Sequence, residues 1–141
     1  MQFTSISKKE WLFRVNTRTD RVKRIIKEQG ISKISANDQV AYKAMLVLVL
    51  HSGDRTLIEE YLDLHANSES KDVVISDRAF IIDKLQGLKN KRQIYGTQLK
   101  MINGNLTPLP IEDELDVDRK RGELGLAPLS KYISKFKKDN S

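Results

Sequence analysis

Val40-Ala41-Tyr42-Lys43-Ala44-Met45-Leu46-Val47-Leu48-Val49-Leu50-His51 contains the longest unbroken apolar run of the chain, residues 44–50. Val40, Ala41, Ala44 and Met45 recur at helical spacing, and the run after them leaves the last two turns without a polar face. A helix apolar on every side belongs at the centre of a core. A central strand is the rival reading of residues 46–50, because valine recurs there. The run is far short of the roughly 18 residues that would suggest a membrane span, so no membrane partner is expected.

Outward from this segment, helical signals dominate. The helix is expected to begin near Ser35 or Asn37 and to end at Gly53. Before it, Ser7-Lys8-Lys9-Glu10 has the pattern of a capping box. Trp11, Val15, Val22, Ile25 and Ile26 follow at helical spacing, and Gly30 is the stop. The polar run at residues 16–21 is weak helix, which predicts a bend or a frayed start. After the central segment, Asp54 can cap a helix carrying Leu57, Ile58, Tyr61, Leu62 and Leu64. Another is expected from about Asp72 to Leu85, with Val74, Ile75, Ala79, Ile82 and Leu85 inward. Residues 87–92 read as a polar loop.

The pattern then changes. Residues 94–101, the pair Asn103-Gly104 and residues 106–109 read as a β-hairpin, because Asn-Gly suits the positive φ of a tight turn. Pro108 and Pro110 end the second strand or confine it to an edge. The acidic residues from Glu112 to Asp118 precede Arg119-Lys120-Arg121, an order that suits one short helix and its dipole. Pro128 opens a last helix with Leu129, Tyr132, Ile133 and Phe136 inward. The expected fold is therefore mainly α: a single-domain helical bundle over residues 1–137, with one hairpin near 93–109 and a frayed tail at 138–141.

Composition narrows the chemistry. Hydrophobic residues make up 39% of the 141 and charged residues 31%, the balance of a globular chain. There is no cysteine, which excludes disulfides, thiol nucleophiles and cysteine-held metal. Two histidines rule out a three-histidine metal site within one chain, and no metal is assigned. Charges at Lys8, Lys9, Glu10 and Arg14 interrupt the N-terminal stretch too early for a secretory signal, so the expected location is cytoplasmic. The net charge of +6 favours anionic partners, but it is spread along the chain rather than gathered in a block.

Few residues stand out as candidates for chemistry. His51 ends the apolar helix and is either a general base or a histidine capping the core. His65 ends a more polar helix and is expected to face solvent. Asp77 and Arg78 are adjacent on a helix, hence about 100° apart, so at least one should reach another partner. On a strand, Gln93, Tyr95 and Thr97 would share one face, and Gly96 would admit a ligand or another backbone at close range. Three hydrogen-bonding side chains on one face suit a polar ligand or an exposed sheet. No Gly-rich phosphate loop, nucleophile elbow or helical His-Glu-x-x-His motif is present.

Gln93-Ile94-Tyr95-Gly96-Thr97-Gln98, Pro110-Ile111-Glu112-Asp113, Val117-Asp118-Arg119-Lys120-Arg121, Leu124-Gly125-Leu126 and Pro128-Leu129 together resemble the bacterial domain-of-unknown-function family 6624. Asp77-Arg78, Gly30 and His51 match further family positions. The chain departs from the family pattern at Ile31-Ser32, at Leu50, at Ser52-Gly53-Asp54 and at Lys120, where lysine replaces an arginine and its planar geometry. The resemblance implies no established activity. It implies a recurring polar set: His51, Asp77, Arg78, Gln93, Tyr95, Thr97, Gln98 and Arg121. Read as a pocket, this set binds a small polar or anionic ligand and suits hydrolase or group-transfer chemistry. His51 would then be the base with Asp77 orienting it or sharing its proton. Arg78 and Arg121 would hold anionic groups, and Gln93, Tyr95, Thr97 and Gln98 would fix orientation. The alternatives are a protein-interaction module using the hairpin and Tyr95, and a nucleic-acid surface on the basic last helix and loop 89–92. The sequence names no cofactor and no protein partner.

Overall fold

The computed structural model of the chain describes residues 7–68 and 73–139. It divides into two compact units, Met1–Val73 and Val74–Ser141. The first is helical throughout: α1 (Lys8–Gln29), α2 (Ile31–Asn37), α3 (Gln39–His51) and α4 (Arg55–Ala66). The second holds α5 (Asp77–Leu88), a hairpin of β1 (Leu99–Ile102) and β2 (Asn105–Pro108), then α6 (Val117–Glu123) and α7 (Leu129–Asp139). The chain is mainly α with one β-hairpin, as its sequence predicts. Among the described residues no helix is long and apolar enough to cross a membrane.

In the first unit α1 is continuous through the polar run at 16–21. Local propensity is a weak preference that packing overrides, and α1 packs on α2 and α3 through Val22 and Ile26. The expected capping role of Glu10 and the inward placement of Trp11 and Val15 lie outside the described residues. Gly30, at φ 76°, ends α1 in a conformation that favours glycine. The helix expected from Ser35 or Asn37 is in fact two: α2 ends at Asn37, and Asp38 caps α3 by accepting the Ala41 N–H at 3.0 Å.

The apolar helix is not buried on all sides. Tyr42, Met45, Leu46 and Val49 form its inner stripe, while Val40, Val47 and Leu48 are exposed. Its neighbours α1, α2 and α4 surround only part of its circumference. Nor does His65 face solvent. It continues the buried Leu57, Ile58, Tyr61 stripe of α4 by one turn, is fully buried, and meets the Tyr42 hydroxyl through Nε2 at 3.0 Å.

The second unit also departs from expectation at its start. α5 begins at Asp77, because residues 74–79 form tight turns in which Asp77, Arg78 and Ala79 donate three residues back. Val74 and Ile75 are therefore exposed rather than inward. Ala79, Ile81, Asp83 and Leu85 form the buried side of α5. The hairpin pairs Leu99 with Pro108 and Ile102 with Asn105, and Asn103 (φ 49°) and Gly104 (φ 79°) make its turn. The first β-strand is shorter than expected: residues 94–98 are loop, and Gln93 makes only an isolated parallel bridge with Ile111. Pro128 precedes α7, whose Leu129 N–H is capped by Asp118 Oδ1 at 2.8 Å. α7 extends to Asp139, past the expected fraying point.

Asp54 joins two supports of the first unit. Its carboxylate caps α4 through the Leu57 N–H at 3.0 Å and pairs with Lys23 of α1 at 2.8 Å. The Lys23 hydrogen bond, then the Leu57 amide, hold its pKa below the ordinary carboxylate value. A lowered folded-state pKa gives stability that is present above the unfolded value and lost as pH falls through the folded one. Asp54→Ala should thus cost about 1–2 kcal/mol at pH 7. Urea unfolding should show that cost shrinking as pH is lowered from 5 towards 2.5, and an equal cost at both ends would contradict the assignment.

Candidate functional site

Asp83 sits on the buried side of α5 with 1% exposure. Its Oδ1 accepts the N–H groups of Ile94 at 2.8 Å and Tyr95 at 2.9 Å. Its Oδ2 accepts the Thr97 N–H at 2.9 Å and the Thr97 hydroxyl at 2.8 Å. Removing a carboxylate from water is costly unless donors replace the solvent, and four donors do so here. These bonds explain why residues 94–98 form no strand: their amides turn towards one side chain. Successive N–H groups converging on an anion make a nest, and in this one the anion is the protein's own.

Gly96, at φ 71°, lets the loop turn between Tyr95 and Thr97. Side chains approach closely at this position. A Cβ at this position would stand 2.9 Å from Leu129 Cδ1 and 3.3 Å from Ile111 Cδ1.

Gln93 closes the loop from its other end. Its Nε2 donates to the carbonyls of Gln98 at 3.0 Å and Leu109 at 2.7 Å, and its Oε1 accepts the Gln98 N–H at 2.9 Å. Both its amide hydrogens and its carbonyl are thus committed to backbone. Arg121, 1% exposed, donates from Nε to the Ala127 carbonyl at 2.7 Å and from Nη1 to the Tyr95 carbonyl at 2.6 Å. Its guanidinium lies 5.0 Å from the centre of the Tyr132 ring, within cation–π range. Burial lowers the Arg121 pKa, with Tyr132, Asp118 and Asp83 opposing that shift. The Tyr132 hydroxyl donates to the Thr97 carbonyl at 2.9 Å. Burial raises the phenol pKa of Tyr132, and of Tyr95 with added help from Asp83 and Glu123, so both stay protonated at neutral pH.

Gln93, Tyr95, Thr97, Gln98 and Arg121 are thereby brought together, and Asp83 is the member sequence reading missed. The signal was present: Asp83 lies one turn beyond Ala79 on the inward side of α5, ahead of a glycine-containing loop that needs its amides satisfied.

Beside this loop the second unit has a cleft of about 390 Å³. Asp83, Asn90, Gln93 and Gln98 are among its lining, Leu88, Leu109 and Pro110 supply apolar surface, and Lys84, Lys91 and Arg92 bring positive charge. None of these three cations forms an ion pair among the described residues. Lys84 was not anticipated as a site residue, and Lys91 and Arg92 were anticipated only as part of a basic loop.

Asp77 and Arg78 open α5, half-buried, with Asp77 in the first turn where a carboxylate complements the helix dipole. His51 belongs to the first unit, at the end of α3. Its exposed ring is held by the Val47 carbonyl, 2.8 Å from Nδ1. Because a carbonyl only accepts, Nδ1 carries a proton in that contact. Among the described residues no group of three histidine or acidic side chains could hold a metal ion.

A model of a family of unknown function, DUF6624, matches residues 14–140, and the chain belongs to that family. No match was found among curated proteins or among solved structures.

Asparagine at position 83 can keep one accepting oxygen, but its NH2 would face donors it cannot satisfy. Each buried polar group left unpaired costs about 1–3 kcal/mol. Asp83→Asn should therefore destabilise the second unit by about 3 kcal/mol in urea unfolding. A loss below about 1 kcal/mol would mean that the carboxylate does not hold the loop.

Proposed function

We propose that this member of the family binds a small anionic ligand in the cleft lined by Lys84, Lys91 and Arg92. The observation that carries the reading is the set of three cations sharing one concavity without an ion pair among the described residues, while the acid on the same lining, Asp83, is taken up by four donors of the loop. The cleft's volume falls in the range of small-molecule sites. Leu88, Leu109 and Pro110 add apolar contact for the body of a ligand whose charged end meets the cations.

The polar residues in and around the loop divide into two roles under this reading. Asp83, Gln93, Thr97 and Arg121 direct hydrogen bonds to the loop, and of these Asp83 and Gln93 also line the cleft. Gln98, half-buried on the cleft, reaches the ligand itself. Arg121 is 1% exposed and is not among the residues lining the cleft, so under this reading it acts on the anion through the loop carbonyls it holds.

Phenyl phosphate and benzoate, titrated calorimetrically into the full chain, test the reading. At least one should bind, and the double variant Lys84→Ala/Arg92→Ala should weaken it at least tenfold with little change in melting temperature. Binding should also weaken as salt is raised, because partly exposed cations are screened. Binding insensitive to both the substitutions and salt would refute the proposal.

A further inference from the structure

Resting on that anion site, we infer that its ligand also carries an N–H or O–H donor, and that the carbonyl oxygen of Gln98 is the atom that reads it. The inference follows from a chain of hydrogen bonds whose directions leave one solution. Thr97 Oγ1 donates its only proton to Asp83 Oδ2 at 2.8 Å. That hydroxyl can therefore meet a further group only as an acceptor. Gln98 Nε2 lies 3.2 Å from it and donates. A flipped Gln98 amide would set its oxygen against the Thr97 lone pairs, so the amide is fixed with Oε1 turned away from Thr97.

The backbone of Gln98 is equally constrained. Its N–H donates to Gln93 Oε1 at 2.9 Å, and its carbonyl accepts from Gln93 Nε2 at 3.0 Å and from the Leu109 N–H at 2.9 Å. Gln98 Oε1 itself has no hydrogen-bond partner among the described residues, and the residue lines the cleft. Of the other polar side chains lining the cleft, Lys84, Lys91 and Arg92 offer only donors, the Asp83 oxygens are taken up by the loop, and Asn90 carries an amide that no hydrogen bond among the described residues orients. A ligand with an anionic group alone would satisfy the cations and leave a pre-oriented acceptor covered and unpaired. A ligand that adds an amine, amide or hydroxyl donor satisfies both sides. Thr97 is then a positioning residue: it touches no ligand, and it sets which end of the Gln98 amide is presented.

Two esters of nearly the same shape separate this inference from the one beneath it. 4-Aminophenyl phosphate carries the donor; 4-methylphenyl phosphate does not. By calorimetry the native chain should bind the amino ester up to about tenfold more tightly, the worth of one hydrogen bond. Gln98→Met should bind the two alike. Equal binding by the native chain, or a preference that survives in Gln98→Met, overturns the role of Gln98 while leaving the anion site standing. Failure of the native chain to bind either ester removes the phosphate-binding site and this inference with it.

Discussion

Four donors from residues 94, 95 and 97 meet the carboxylate of Asp83, on a side chain that folding removes from water. Tyr95 stands at the centre of this arrangement. Its N–H goes to Asp83 and its carbonyl to Arg121, so one residue's backbone lies between a buried acid and a buried base. Neither charge is matched by a direct ion pair. Each is stabilised by main-chain dipoles, and Arg121 also by the Tyr132 ring. Removing either partner would leave a charge or several dipoles without compensation, which is why so many polar residues cluster in so short a stretch.

The cleft beside this construction is lined by two unlike kinds of polar residue. Gln93 and Gln98 stand on backbone that side-chain amides tie down at both ends. Lys84, Lys91 and Arg92 carry their charge on long side chains with no ion-pair partner among the described residues. Under the proposed function, a held hydrogen-bonding lining beside cations on long side chains would select a ligand by its donor pattern while tolerating variation in its anionic group. The polar residues that look like a reactive set in the sequence are thus divided: Gln93, Tyr95, Thr97 and Arg121 hold the loop, Gln98 lines the cleft beside it, Asp77 and Arg78 open α5, and His51 belongs to the first unit.

Much of the fold was legible. The caps at Asp54 and Pro128, the stop at Gly30 and the Asn103-Gly104 turn follow from local rules, and each stands where those rules put it. The errors share a cause, which is that burial depends on neighbours distant in sequence. Residues 44–50 look uniformly apolar, yet only the stripe facing α1, α2 and α4 is covered. His65 looks like a polar helix end, yet it extends a buried stripe and finds Tyr42 across the bundle. Alternation at residues 93–98 suggests a strand. Asp83, ten or more residues earlier, captures those amides instead. The signature residues were therefore identifiable as a group, but whether a glutamine faces a ligand or a carbonyl is decided by three-dimensional packing.

Amide hydrogen exchange at Ile94, Tyr95 and Thr97, followed by NMR in the full chain, tests the central claim most directly. If the Asp83 carboxylate organises the loop, these three amides should exchange as slowly as the buried turns of α5, although they lie in no helix or strand. Exchange at the rate of an open loop would contradict that account and the rigid cleft wall built on it.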